Sequence, residues 1–109
     1  MKLIATCCEP VLIEPINADE AEELANGFKM LADPVRLRIL SLIANAPDAS
    51  MCGCDLPTIL DRSQPTISHH LSLLTEAGLV TREQRGKWAW FSVEPGRVAV
   101  LRDALVLPT

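Results

Sequence analysis

Residues 62–80, RSQPTISHHLSLLTEAGLV, decide how the rest of the chain is read, because they hold a helix with a polar outer face together with its start and stop signals. Ser63 suits an N-cap, Pro65 falls in the first turn where a missing N–H is harmless, and Gly78 ends the segment. The spacing predicts a helix over 64–77. Ile67, Leu71 and Leu74 recur at i, i+4, i+7 as a stripe to be buried, while Gln64, Thr66, Ser68, His69 and Ser72 fall mainly elsewhere. The outer face is therefore polar, short-armed and nearly free of acid. Its hydrogen-bonding groups are of the size that reads base edges or grips phosphate oxygens in a major groove. An ordinary amphipathic surface helix has the same periodicity, so the flanking segments must decide between the two readings.

Just upstream, MCGCDLPTIL at 51–60 predicts a short helix starting near Asp55, since Pro57 is tolerable only in a first turn. Two short helices joined by the tight break at 60–63 form a helix-turn-helix. Downstream of Gly78, LVTREQ and KWAWFSV read as strands, and Arg85-Gly86 supplies a turn between them, a β-hairpin or wing. Asp19 caps an expected helix to about Leu31. Asp33-Pro34 restarts the chain as cap and first helical residue of its most apolar segment, with Val35, Leu37, Ile39, Leu40, Leu42 and Ile43. NAPDAS at 45–50 reads as a loop, and Pro95 opens a last helix carrying Val98, Val100, Leu101, Leu105 and Val106. Apolar helices at both ends of so short a chain predict burial against a second copy, a homodimer through the first and last helices. The expected organisation is an arm over 1–18, with two prolines, no regular period and a cysteine pair, followed by one DNA-binding and dimerisation domain over 19–109. Its fold class is mainly α (α+β), a winged helix-turn-helix.

Composition bounds these readings. The chain has 109 residues, enough for one domain, and its net charge of −4 runs against nucleic-acid binding if taken as an average. The distribution matters more. Up to Asn26 the acids Glu9, Glu14, Asp19, Glu20, Glu22 and Glu23 face a single Lys2, whereas Arg62, His69, His70, Arg82, Arg85 and Lys87 belong to or follow the stretch above. A locally basic edge suffices for phosphate contacts of modest, salt-sensitive strength. No apolar run approaches the roughly 18 residues of a membrane span, and no secretory leader is evident, so the chain reads as cytoplasmic with no membrane partner. No Gly-rich phosphate loop, nucleophile triad or paired-carboxylate cleft points to an enzyme.

The four cysteines fall in two pairs, Cys7-Cys8 in the arm and Cys52-x-Cys54 before the short helix. A secreted chain would use them as disulfides; in a cytosolic DNA-binding domain a C-x-C pair reads as soft-metal ligands. Residues i and i+2 of an α-helix point about 200° apart, so Cys52 and Cys54 converge only if the chain there is not helical, a conformation Gly53 makes cheap. If the helix starts after Cys54, its N-terminal dipole also favours thiolates. Ion capture would then distort the entry to the helix-turn-helix and misaim its second helix. His69 and His70, about 100° apart on a helix, cannot chelate one ion together; one is expected toward the phosphate backbone and the other partly packed. Trp88 and Trp90 read as packing groups. Two rival classes remain: a thiol redox-switched regulator using either cysteine pair, and a structural module stapled by zinc.

The order of Leu31-Ala32-Asp33-Pro34 with Arg36, then Cys52-x-Cys54-Asp55-Leu56, then Ser68-His69-His70-Leu71, then a wing with RGKWAWFSV, resembles the ArsR/SmtB family of metal-responsive repressors over residues 20–104. The resemblance implies a homodimer that sits on an inverted-repeat operator when metal-free and leaves when metal binds, with half-sites about one helical turn, roughly 34 Å, apart. It makes 64–77 the recognition helix, with Arg62, Ser63, Gln64, Thr66, Ser68, His69 and His70 as DNA-contacting candidates and Arg85 and Lys87 as wing contacts. It further implies Cys7, Cys8, Cys52 and Cys54 as effector ligands, with Cys8, Cys52 and Cys54 ranking first. Arsenic-sensing relatives hold As(III) or Sb(III) in a pyramid of three sulfurs; cadmium- and lead-sensing relatives use four thiolates, all of which exist here. As(III) is the expected effector, because adjacent Cys7 and Cys8 hamper a four-fold chelate and SQPTISHHLSLLTEAG looks closest to the arsenic branch. Cd(II) or Pb(II) is the alternative. The last helix, PGRVAVLRDAL, has no His and one acid, so the second metal site of zinc-sensing relatives is missing.

Overall fold

The computed structural model describes residues 10–108, so Cys7 and Cys8 of the arm lie outside the described residues. Asn17 opens α1 (Ala18–Leu31) through a reciprocal capping box: its side chain accepts from Glu20 N at 2.8 Å, and the Glu20 carboxylate accepts from Asn17 N at 3.2 Å. Asp19, the cap expected from sequence, falls instead inside the first turn, where its charge suits the positive end of the helix dipole. Asp33 caps α2 (Pro34–Ala44), accepting from Val35 N at 2.9 Å and Arg36 N at 3.1 Å. The Arg36 N–H above all holds its carboxyl below the ordinary 3.8. Ile39 and Ile43 of α2 are fully buried at the centre of the core.

Where the sequence reads as loop and helix start, the structure inserts a strand. A 3-10 turn (Pro47–Ala49) leads into β1 (Ser50–Cys52), which pairs antiparallel with β3 (Trp88–Val93) in the register Ser50↔Ser92, Met51↔Phe91, Cys52↔Trp90. A second 3-10 turn (Gly53–Asp55) delivers the chain to α3 (Leu56–Leu60), one residue later than the expected start. Three residues of Ser, Met and Cys carry no period, and their pairing partner lies about forty positions away. That partner was invisible to a local reading.

The helix α4 (Gln64–Glu76) matches its expected span, and Gly78 stops it as anticipated. Gly78 N donates to Thr75 O and Leu79 N to Leu74 O, each at 3.0 Å, the pair of bonds that closes a helix around a left-handed residue. Leu74 and Leu79, brought together by that closure, are both fully buried. β2 (Val80–Arg85) then pairs with β3 from Val80↔Val93 to Arg85↔Trp88, giving an antiparallel sheet of order β1-β3-β2. The hairpin turn is Gly86-Lys87 rather than Arg85-Gly86, and a φ of +62° at Gly86 is the glycine-first pattern that two-residue hairpins favour.

Glu94 caps α5 (Pro95–Ala104), whose Leu101 and Ala104 join Leu24 of α1 in the core. Leu56 and Leu60 of α3, Ile67, Leu71 and Leu74 of α4, and Phe91 of β3 complete it. The described part of the arm is not detached, since Val11 N donates to Ala104 O at 3.0 Å. Five helices and a three-stranded sheet among the described residues thus form a winged helix-turn-helix, with α3 and α4 as its helix pair and β2–β3 as its wing. No described helix is long and apolar enough to cross a membrane.

Gly78 has φ +75°, and a Cβ there would collide with the Arg97 guanidinium of α5. Gly78→Ala is expected to lower the unfolding free energy by about 1–2 kcal/mol through left-handed strain alone. A lower urea midpoint at unchanged slope would register it, and an unaltered midpoint would contradict it.

Candidate nucleic-acid interface and thiol site

The turn between α3 and α4 is built from three polar residues, Asp61, Arg62 and Ser63, each with a local task. Asp61 ends α3 in the left-handed region at φ 53°, a conformation Asp tolerates. The Arg62 guanidinium folds back, Nη1 donating to Leu60 O at 3.3 Å and Asp61 O at 3.1 Å, so it caps the carbonyl end of α3 while staying exposed. Ser63 caps α4 by accepting from Thr66 N at 3.3 Å and donates its hydroxyl to Thr66 Oγ1 at 2.9 Å. Gln64 Nε2 donates to Ser68 Oγ at 3.2 Å. Ser63, Gln64, Thr66, Ser68, His69 and Ser72 are all exposed, whereas Ile67, Leu71 and Leu74 are buried. Sequence and structure agree on which face of this helix is offered outward.

The wing runs alongside. Arg85 and Lys87 are both exposed, and each sits over an indole: Arg85 Cζ is 4.4 Å from the Trp90 ring centroid and Lys87 Nζ is 5.5 Å from that of Trp88. Glu83 accepts from Arg85 Nε at 2.7 Å, an exposed ion pair that orients the side chain more than it stabilises the fold. Trp90 is half-buried, as expected of a packing group, but Trp88 is 51% exposed, beside the turn at the tip of the hairpin. A cleft of about 520 Å³ separates wing from α4, lined by Gln64, Ser68 and Ser72 on one side and Arg82, Lys87 and Trp88 on the other, with Cys54 among its walls. Leu71, Ala89, Phe91 and the acidic Glu76 line it as well, so the cleft is at least as apolar as it is polar.

Cys52 closes β1 and Cys54 lies in the 3-10 turn that follows, so the segment is not α-helical and the two side chains converge. The structure joins their sulfurs in a disulfide, with Cα atoms 5.1 Å apart. Reading the pair as ligands therefore concerns the reduced chain, in which the same convergence puts two thiolates on one ion. Cys54 N also donates to Cys52 Sγ at 3.2 Å. Cys52 is only 3% exposed and Cys54 is exposed. No group of three or more His, Cys, Asp or Glu placed to share a metal ion occurs among the described residues. A second cleft, of about 350 Å³, opens beside Cys52 between Asp48, Asp55, Arg85 and Trp90.

The two histidines part company. His69 is exposed, while half-buried His70 turns inward, where its Nδ1 lies 3.1 Å from Arg36 Nη1. Burial first, and then the Arg36, His69 and Arg62 charges, push the His70 pKa below the ordinary 6.5 against the opposing pull of Asp33. Nothing in the helical periodicity names Arg36 as this partner. The available signal was an arginine set among the apolar positions of α2.

The family described as bacterial regulatory protein, arsR family, matches residues 33–82, the segment from α2 into the wing. The arsenical resistance operon repressor of Staphylococcus aureus is 38% identical over 84 residues, covering 77% of this chain and 75% of that protein. The arsenical resistance operon repressor of Escherichia coli K12 is 47% identical over 68 residues, covering 62% of this chain and just 56% of that protein's length. Among solved structures, a possible transcriptional regulator for arsenical resistance superposes with a TM-score of 0.65 at 31% identity, over 71% of this chain and 77% of that one.

The unequal exposure of the two sulfurs is directly measurable. In a Cys7→Ser, Cys8→Ser chain, N-ethylmaleimide should leave both remaining cysteines unmodified until reductant is added, and should then label Cys54 before Cys52 by peptide mass spectrometry. Equal labelling rates would place Cys52 in the open.

Proposed function

The chain belongs to the arsR family of bacterial regulatory proteins, DNA-binding transcriptional repressors and not enzymes, and from that premise we propose how it is switched. A homodimer binds an inverted-repeat operator and releases it when As(III) or Sb(III) is captured by cysteine thiolates. The observation that carries this reading is the convergence of Cys52 and Cys54 at the one segment that feeds both DNA-facing parts.

For operator binding, α4 enters the major groove with Gln64, Thr66, Ser68 and His69 toward base edges and phosphates, Arg62 and Ser63 at its N-terminal end, and Arg85 and Lys87 of the wing on the flanking backbone. The acid-poor outer face and cationic hairpin tip support this. His70 acts from behind the helix. Dimerisation through α1 and α5 is supported by exposed apolar residues at their outer ends, Leu12 and Ile13 before α1 and Leu105, Val106 and Leu107 after α5, which the Val11–Ala104 hydrogen bond holds near each other.

For sensing, Cys52 and Cys54 supply two thiolates and Cys8, or Cys7, of the arm the third. Trivalent arsenic or antimony supplies a preference for three sulfurs in a pyramid. The chain's own geometry explains the consequence. Cys52 is paired with Trp90 of the wing, and Cys54 stands one residue before Asp55 at the entry to α3, itself one turn from α4. Fixing the two sulfurs against the arm therefore biases wing and recognition helix together. A coupling of about 1–3 kcal/mol, the usual range between linked sites, would cut operator occupancy severalfold to about a hundredfold. Cd(II) or Pb(II), held by all four cysteines, is the alternative effector. A second reading, a thiol redox-switched regulator, is favoured by one observation: the structure pairs these same two sulfurs.

The test is release of labelled operator by the reduced chain on titration with As(III), Sb(III), Cd(II), Pb(II) and Zn(II), repeated for Cys7→Ser, Cys8→Ser, Cys52→Ser and Cys54→Ser. Loss of the As(III) response in Cys52→Ser and Cys54→Ser is expected; a wild-type response from both would overturn the proposed trigger. Release by peroxide without any metal, abolished by the same two substitutions, would establish the redox reading instead.

A further inference from the structure

Arg36 is the one cation of α2 whose side chain is almost wholly withdrawn from solvent, at 12% exposure, and it is held by three separate elements. Its Nε donates to Met30 O at 2.6 Å, a carbonyl in the last turn of α1 that has no partner within its own helix. Its Nη1 lies 3.1 Å from His70 Nδ1 on α4, and the same nitrogen lies 4.0 Å from the Asp33 carboxylate that caps α2. An arginine has only donors, so His70 Nδ1 must be the acceptor and the ring must be neutral, with its proton on Nε2.

We propose that Arg36 and His70 form a positioning clamp that sets the recognition helix α4 against α1, and that operator binding fails when His70 takes a second proton. The inference rests on the operator-binding reading above. Protonated His70 has nothing to offer Arg36 but a like charge at hydrogen-bond distance. The groups around the ring do not rescue that state: among the described residues Asp33 is the one carboxylate facing it, against Arg36 beside it on α2, Arg62 before α4 and His69 next along. Since α1 is an expected dimer element, a loosened clamp frees each α4 to rotate relative to the dimer base, spoiling the register of two half-sites without unfolding either subunit.

The sign of the pH effect separates this clamp from ordinary electrostatics. Adding positive charge to a DNA-binding surface ordinarily strengthens binding. Loss of the clamp acts the other way. The folded-state pKa of His70 is depressed, so in the folded protein the ring stays neutral through pH 6.5 and the clamp is lost only as pH falls through the lowered folded-state value.

The experiment measures affinity between pH 7.5 and 5.5 at constant ionic strength. The probe is a labelled duplex spanning the DNA upstream of the protein's own coding sequence. Wild type should lose affinity on acidification, by no more than about tenfold at pH 5.5, the limit for one proton taken up at a site whose pKa lies below 6.5. His70→Asn, whose Oδ1 can take the place of Nδ1 as acceptor without titrating, should bind with little pH dependence. Arg36→Lys, which keeps the charge but cannot bridge three elements, should bind weakly at every pH. Affinity that rises on acidification equally in wild type and His70→Asn would overturn the clamp. Long-range ¹H–¹⁵N spectra of the His70 ring supply a readout independent of DNA: a proton on Nε2 alone at pH 7 is expected, and one on Nδ1 refutes the clamp even if no duplex is bound. Failure of the wild type to bind duplex at any pH would defeat the operator reading instead.

Discussion

Gly53 lies against the Phe91 ring so closely that a Cβ would stand 3.0 Å from Cε2, with Leu71 of α4 at 3.4 Å on the same side. That contact is the constraint on which the DNA-facing half of the molecule depends. A side chain at position 53 would require the Phe91 ring or Leu71 to give way by a few tenths of an ångström, loosening the contact of the 3-10 turn with sheet and α4 together. With glycine there, β1 can end at Cys52, the chain can turn within three residues, and α3 can begin at Leu56 with its first side chain fully buried. The convergence of Cys52 and Cys54 is a by-product of the same turn. A thiol pair thus occupies the one place in the chain joined by hydrogen bonds to the wing and by sequence to the helix-turn-helix.

The charge distribution follows a related logic. A net charge of −4 is compatible with a polyanionic partner because the acids of α1 lie in a different element from the polar face of α4 and the cations of the wing tip. Those cations are already partly engaged, Arg85 with Glu83 and the Trp90 ring, and Lys87 with Trp88. Such contacts restrict rotamers before any partner arrives, which reduces the ordering cost of binding, but they are exposed and salt weakens them. The polar face of α4 behaves likewise, with Ser63, Thr66, Gln64 and Ser68 bonded to one another. Rearranging these bonds is cheap, since each exchanges one exposed hydrogen bond for another.

Behind that face the molecule is held more firmly. Schellman-type closure at Gly78, burial of Leu74 and Leu79, and the Arg36 bridge to His70 fix α4 at its end and along its length. A recognition helix must present its side chains at a defined rotation, and tight packing on one side of it is what allows loose, adaptable polar groups on the other.

By itself the sequence determined the elements that local chemistry specifies. Proline at positions 34, 65 and 95, cap residues at Asp33 and Ser63, and glycine at 78 set the starts of three helices and the end of one. The period of Ile67, Leu71 and Leu74 decided which face of α4 is buried, and the resemblance of the whole order of motifs pointed to the family. Local signals were less decisive where neighbours compete: Asn17 rather than Asp19 caps α1, although both residues cap well and each has a glutamate three positions on, Glu20 and Glu22, to complete a box. Tertiary structure alone decided β1, whose three residues become a strand because β3 is beside them, and the inward turn of His70, whose partner Arg36 is 34 positions away. The physical reason is one of range. Caps, turns and periods are settled by atoms within about four residues along the chain, whereas a short strand or a buried charged hydrogen bond exists only once distant segments have packed.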